Sequence, residues 1–290
     1  MTNRLLHSVA YVRIPTSTPI ASSRFATEIL GLQPVEGESS DLRFRTDDRF
    51  QTIVMTCTPQ SEARLGIEVT DHEALDAAAA ALTEAGFPWK YASDDECCQR
   101  EVKRALFTKD ASGNDIELVC APRMSARRFF PSRDAGVIGL EGVGLRSVDP
   151  DRDLFFWTKI LGARISDRVG DITYLSIDSH HHRIVLYPSK RVGLLNVAIE
   201  VESFDYVMQN NYFLKERQVR IVQGPGRDVP SGQIFLHFTG PERILYSFVT
   251  GIRRFADGPP RARQFAHNRE ALCAWGSECL DGVEFPELMT

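Results

Sequence analysis

A short run that alternates apolar with polar or small residues recurs along the chain, and each copy leads into a stretch with helical spacing. The runs are HSVAYVRI from His7, RLGIEVT from Arg64, GVGLRSV from Gly142 and NVAIEVE from Asn196. Alternation with period two predicts a half-buried strand. The first run leads into a helix ending at the LGL of Leu30 to Leu32. The second leads into DHEALDAAAAALTEAG, ending at Gly86, and the third into DPDRDLFFWTKILG, ending at Gly162. The fourth predicts a helix from about Phe204 to about Arg217. Asp71 and Asp149 stand where N-caps stand, and Gly31, Gly86 and Gly162 where a residue of positive φ ends a helix. Strand-like runs follow each helix and close with TIVMTCTP (52–59), DIELVCAP (115–122), RIVLYP (183–188) and RILYSF (243–248).

The repeated unit is therefore a strand, a helix and about three more strands. It predicts an α+β fold of four βαβββ modules paired into two tandem domains, 1–124 and 139–252. The segment between them, 125–138, lies in an Arg/Pro/Ser-rich stretch and reads as a linker. The pattern assigns no element to the tail, 253–290.

A chain of 290 residues has room for two such domains. With 43% hydrophobic and 25% charged residues it has the composition of a soluble globular protein. A net charge of -5 and the lack of a basic stripe weigh against a nucleic-acid partner. The cysteines at 57, 97, 98, 120, 273 and 279 form no CxxC pair and so no zinc site. The start of the chain has no apolar signal core, and no run reaches the length of a membrane span. A reduced, cytoplasmic protein without a membrane partner is expected.

Candidate chemistry gathers in DSHHHRIVLYP (178–188), which holds three of the seven histidines. In an extended strand His180 and His182 share a face and His181 takes the other.

On these features the chain resembles the vicinal oxygen chelate superfamily, which includes glyoxalases and bleomycin-resistance proteins. Its two-half layout resembles the type I extradiol (ring-cleaving) dioxygenases. DASGNDIEL (110–118) is similar to the superfamily's closing-strand signature, HHRIVLYP to its paired-His strand, and ALCAWG (271–276) to a Trp-Gly hook after the last module. The resemblance implies Fe(II) held by two His, from the first strands of modules three and four, and by a carboxylate from the last strand of module four. Register places Gly142, Asn196 and Leu245 at those positions. No metal or cofactor is then expected in the C-terminal half, with Fe(II) present only if the site is atypical. In the N-terminal half the same resemblance puts His7 and Glu117 at ligand positions, with Arg64 and Val54 at the other two. A guanidinium stays charged and cannot coordinate, so an Arg64–Glu117 ion pair beside a structural His7 is expected.

The resemblance also implies an acid–base histidine on the paired-His strand, where His181 and His182 fall, with His180 turned toward the loop. His237, in IFLHF, falls near a position where the family often has a tyrosine facing the cup. The catalytic candidates are thus His182, His181 and His237, and the expected substrate-binding residues are Asn196, Gly142, Leu245 and Tyr246. The loop GPGRDVPSG (224–232) either edges the site or is an ordinary hairpin connection. Three functions follow. One is an extradiol-dioxygenase-like protein of aromatic catabolism that uses His acid–base chemistry without iron. The others are an active ring-cleaving dioxygenase with an atypical metal site, and a non-catalytic ligand-binding or companion subunit. A small aromatic or alicyclic molecule is the expected ligand, and homo-oligomer the expected state.

Overall fold

The computed structural model describes residues 5–37, 39–57, 62–256 and 258–278. Cys279, the end of the tail and the last residues of the TIVMTCTP run lie outside them.

The N-terminal half runs β1 (Leu6–Pro15), α1 (Pro19–Arg24), β2 (Gln33–Pro34), β3 (Leu42–Arg45), β4 (Ile53–Thr56), β5 (Arg64–Val69), α2 (His72–Glu84), β6 (Trp89–Tyr91), α3 (Asp94–Arg100), β7 (Val102–Lys109) and β8 (Asp115–Pro122). The C-terminal half runs β9 (Val137–Ser147), α4 (Pro150–Phe155), β10 (Arg164–Val169), β11 (Ile172–Ser176), β12 (Ile184–Pro188), β13 (Gly193–Val201), α5 (Phe204–Glu216), β14 (Ile221–Arg227), β15 (Ile234–Thr239) and β16 (Leu245–Thr250). The tail adds β17 (Arg263–Phe265) and α6 (Arg269–Leu272), elements that the sequence pattern left unassigned.

The helices form where local chemistry provides for them. Asp71 is extended and its carboxylate accepts from the Ala74 N–H, which starts α2. Leu75, Ala78, Ala79 and Leu82 recur at helical spacing and are buried. Gly86, at φ +73, ends the run. Truncating Leu75 or Leu82 to Ala would cost about 2–5 kcal/mol, the range for a buried leucine. A helix the sequence reading lacked, α3, starts at a capping box in which Ser93 and Glu96 satisfy each other's backbone.

Two mixed sheets result, ordered β2-β3-β4-β1-β5-β8-β7-β6 and β14-β15-β16-β13-β9-β12-β11-β10-β17. In each module the last strand lies parallel to the first, and the first strands of paired modules are antiparallel neighbours. This is an α+β fold of two tandem halves, each of two βαβββ modules, as the repeat predicts.

Buried side chains from both sheets and their helices merge into one core. Phe25 packs on Tyr246 and Phe87 on Phe156, each with ring centroids 5.2 Å apart. The DASGNDIEL turn helps to join the halves. Ser112 donates its N–H to buried Asp153 at 2.9 Å, and Asn114 Nδ2 donates to the Arg146 carbonyl at 2.9 Å. The opposite face of each sheet lines a cavity. Among the described residues no helix is long and apolar enough to cross a membrane.

Candidate active site

The two central strands of the C-terminal sheet set the site. In the pairing of β13 with β9, Asn196 faces Gly144 and Ala198 faces Gly142. In the pairing of β13 with β16, Ala198 faces Ser247. The N-terminal sheet has the same register: Gly66 faces Tyr11 on β1 and Glu117 on β8. The internal symmetry therefore matches Gly142 with Tyr11, Asn196 with Arg64, and Ser247 with Glu117.

That match corrects the expectation for Leu245. Ser247, two residues later, is the counterpart of Glu117. A slip of two residues keeps a side chain on the same face of a strand, so the alternating pattern does not reveal it. Leu245 instead packs with Leu195 and Val222. Tyr246 is also misplaced by the sequence reading. It alternates onto the helix-bearing face, fully buried against Phe25, and lies outside the cavity lining. His7 is corrected in the same way. It is exposed at the start of β1, and Tyr11 holds the position assigned to it.

Gly142 and Asn196 line the cavity as expected. A side chain at Gly142 would put its Cβ 2.5 Å from the backbone carbonyl oxygen of Arg183, so the neighbouring strand leaves room only for glycine. Ser247 Oγ donates to Asn196 Oδ1 at 2.8 Å, and His237 Nδ1 lies 2.5 Å from the same hydroxyl. His237 also stacks on Phe235, with centroids 4.4 Å apart. Burial pushes its imidazole down to a pKa of about 3, so it is neutral near pH 7. Among the described residues, no group of three or more His, Cys, Asp or Glu could hold a metal ion.

The histidine triplet divides three ways. His182 lines the cavity, its ring 5.1 Å from that of Tyr174. Burial, aided by the charges of His181 and Arg183, holds its pKa well below the ordinary value. His181 turns away from the cavity: its Nε2 lies 2.8 Å from Asp167, which Arg263 of the tail also engages. His181 lies outside the cavity lining and links Asp167 to His182, whose Nδ1 is 3.1 Å from its own. His180 pairs with Asp178 at 3.1 Å, on the loop side as expected.

Two acids in the cup escaped the sequence reading. Period two turns Glu141 away from Gly142, yet it lines the cavity. The pairing shifts between Gly142 and Leu140, where β13 advances by one residue and β9 by two. This β-bulge re-aims Glu141 into the cup. Burial, with a contribution from the charge of Glu200, raises its pKa to about 8 although Arg183 lies 3.1 Å away. Asp228 comes from the GPGRDVPSG loop, which is both a hairpin connection and an edge of the cup. Tyr174 donates to it at 3.1 Å, Ser231 also donates to it, and burial lifts its pKa to about 6. Of the aromatic residues in this half, Tyr174, Tyr187 and Phe235 line the cavity, whereas Phe156, Trp157 and Tyr246 are core.

The ALCAWG hook closes the mouth. Leu272 lines the cavity, and Cys273 packs with Ala198, Phe235 and Val249.

The N-terminal counterpart is filled by charge. Arg100 donates to both oxygens of Glu117, at 2.8 and 2.6 Å, and Tyr11 donates to one of them at 2.6 Å. Arg64 reaches Glu117 at 3.5 Å. The expected pair exists, but Arg100, on the unforeseen helix α3, is the stronger partner. Burial disfavours the Glu117 carboxylate, yet the Arg100 bonds and charge outweigh it and hold the pKa low.

Residues 139–248 match the Glyoxalase/Bleomycin resistance protein/Dioxygenase superfamily. They form a vicinal oxygen chelate domain of that superfamily, and the relatives and structural neighbours of the chain are largely extradiol dioxygenases. An iron-dependent extradiol dioxygenase of Rhodococcus jostii (strain RHA1) is 27% identical over 96% of this chain and 99% of its own length. The crystal structure of BphC, a halotolerant catechol dioxygenase, superposes with a TM-score of 0.88 at 19% identity, over 99% of this chain and 98% of that one. A Mn(II)-bound glyoxalase from Novosphingobium aromaticivorans gives 0.85 at 19% identity, over 99% and 94%.

Proposed function

We propose that this chain is an extradiol-dioxygenase-like protein of aromatic compound catabolism. Its C-terminal cup takes a small aromatic or ring-cleavage-derived molecule without the family's Fe(II), and His182 moves protons there. One observation carries the reading: the His237–Ser247–Asn196 chain stands where a carboxylate and an imidazole would be needed. Gly142 supplies no donor, and Asn196 and Ser247 offer a neutral amide and a hydroxyl already bonded to each other. Such a set does not fit an Fe(II) ion that needs two imidazoles and a carboxylate.

The residues present suit proton handling better. His182 is held neutral by burial, so its ring offers an unprotonated nitrogen to the hydroxyl of a phenolic ligand. Asp228, with a pKa of about 6, is close enough to neutral to exchange one through Tyr174. His237 is committed to the Ser247 hydroxyl rather than open to a ligand. It orients Ser247 and gives the cup an aromatic wall with Phe235.

The enclosed space is about 70 Å³. A cavity of roughly 150 Å³ holds benzene, so a ring would fill this space and extend to its mouth beside Leu272. The small volume also favours a second reading, in which the protein binds a ligand without catalysis. An active dioxygenase with an atypical site draws on the named activity of the Rhodococcus relative.

The test is catechol binding to chelator-treated protein by calorimetry, in buffers of different ionisation enthalpy. The proposal expects saturable binding with proton exchange, and loss of that exchange in His182→Ala. Absent binding, or exchange unchanged in the variant, contradicts it.

A further inference from the structure

The N-terminal cup contains a second cavity, of about 440 Å³, lined by four arginines. Its register is informative. Arg43 on β3 pairs with Val54 on β4, Val54 pairs with Arg13 on β1, and Arg13 pairs directly with Arg64 on β5. Arg43, Arg13 and Arg64 thus stand in one row across the sheet and line one cavity. Like charges directly opposite on antiparallel strands are destabilising.

The carboxylates nearby do not complete the row. Asp41 takes Arg13 Nη2 at 2.6 Å, but Arg13 Nη1 is buried and has no hydrogen bond. Glu101 meets Arg43 only at 3.3 Å, and Glu117, already committed to Arg100 and Tyr11, meets Arg64 only at 3.5 Å. Glu62 also lines the cavity. The four carboxylates match the four guanidiniums in formal charge, yet the Arg43 and Arg64 contacts are long and Arg13 Nη1 has no partner, and planar forks suit the oxygens of a tetrahedral anion.

We propose that this cup is a binding site for a small oxyanion of the phosphate class, held by Arg13, Arg43 and Arg64. The site is independent of what the C-terminal cup binds. It occupies the place that the chelate fold uses for chemistry, here rebuilt for charge recognition.

The experiment is calorimetric titration of the full chain with inorganic phosphate, with ionic strength held constant by sodium chloride. Saturable binding is expected, weakened at least tenfold in Arg64→Gln and in Arg43→Gln. Both side chains sit near the surface, and melting curves without phosphate verify that each variant folds; either variant alone suffices for the comparison. Heat that does not saturate, or affinity equal to wild type in a folded variant, overturns the proposal.

Discussion

In the N-terminal half Tyr11, Arg64 and Glu117 hold the positions that Gly142, Asn196 and Ser247 hold in the C-terminal half. The backbone register is the same, down to a bulge at Ala10 matching the one at Glu141. The contents differ in charge. One cup is built around a buried Arg100–Glu117 pair at the floor of its cavity. The other has no such pair across its central strands: Asn196 and two imidazoles kept uncharged by burial line it, with the acids Glu141 and Asp228 at its edges. A buried ion pair fixes its partners, because removing either leaves an uncompensated charge. The central strands of the second cup carry no such committed pair. The fold thus fixes where side chains converge, and the chemistry is decided by a few residues on the central strands.

The largest effect should come from breaking the charged cup. Glu117→Ala leaves Arg100 buried without its carboxylate, and we expect a loss of about 3–5 kcal/mol in stability, read by urea denaturation. A loss under ~1 kcal/mol would mean that Arg100 finds solvent or another partner once Glu117 is gone.

Acidity should separate the cups next. The pKa of Glu141 is about 8 in the folded chain and ~4.3 when unfolded. The folded state therefore holds a proton that the unfolded state releases, and stability falls as pH rises between those values. Glu141→Gln carries no such proton, so its urea midpoint should decline less than that of wild type from pH 5 to pH 8. Parallel profiles would show that Glu141 is ionised in the cup.

Gly142→Ala should destabilise by about 1–3 kcal/mol, since its Cβ meets a backbone oxygen rather than a movable side chain. A neutral result would show that the two strands can part at this point, which would leave room for an imidazole. The mildest change is Ser247→Ala, which removes the hydroxyl joining Asn196 to His237 and should cost about 1 kcal/mol. Chemical shifts of the His237 ring, followed by NMR, would register the loss of its partner.

Most of the architecture was legible because period-two strands, capped helices and closing glycines repeat along the chain. Gly142 and Asn196 reach the cavity as expected because each lies on a strand with clear alternation, and His182 reaches it from the bend just before β12. Leu245 and His7 were misassigned by even numbers of residues, a slip that alternation leaves invisible. Glu141 was hidden by a bulge, which breaks alternation without a sequence mark. Asp228 and Leu272 reach the cup from a hairpin and from the tail, segments with no periodic signal. Arg100 was missed because the helix α3 is short and polar, set by its capping box rather than by an apolar stripe.

The central claim is that the C-terminal cup does not hold iron. Anaerobic loading with Fe(II), removal of free metal and elemental analysis, with catechol cleavage followed on the same sample, tests it directly. The account predicts far less than one iron per chain and no ring cleavage. About one tightly held iron per chain, with cleavage of catechol, would contradict it.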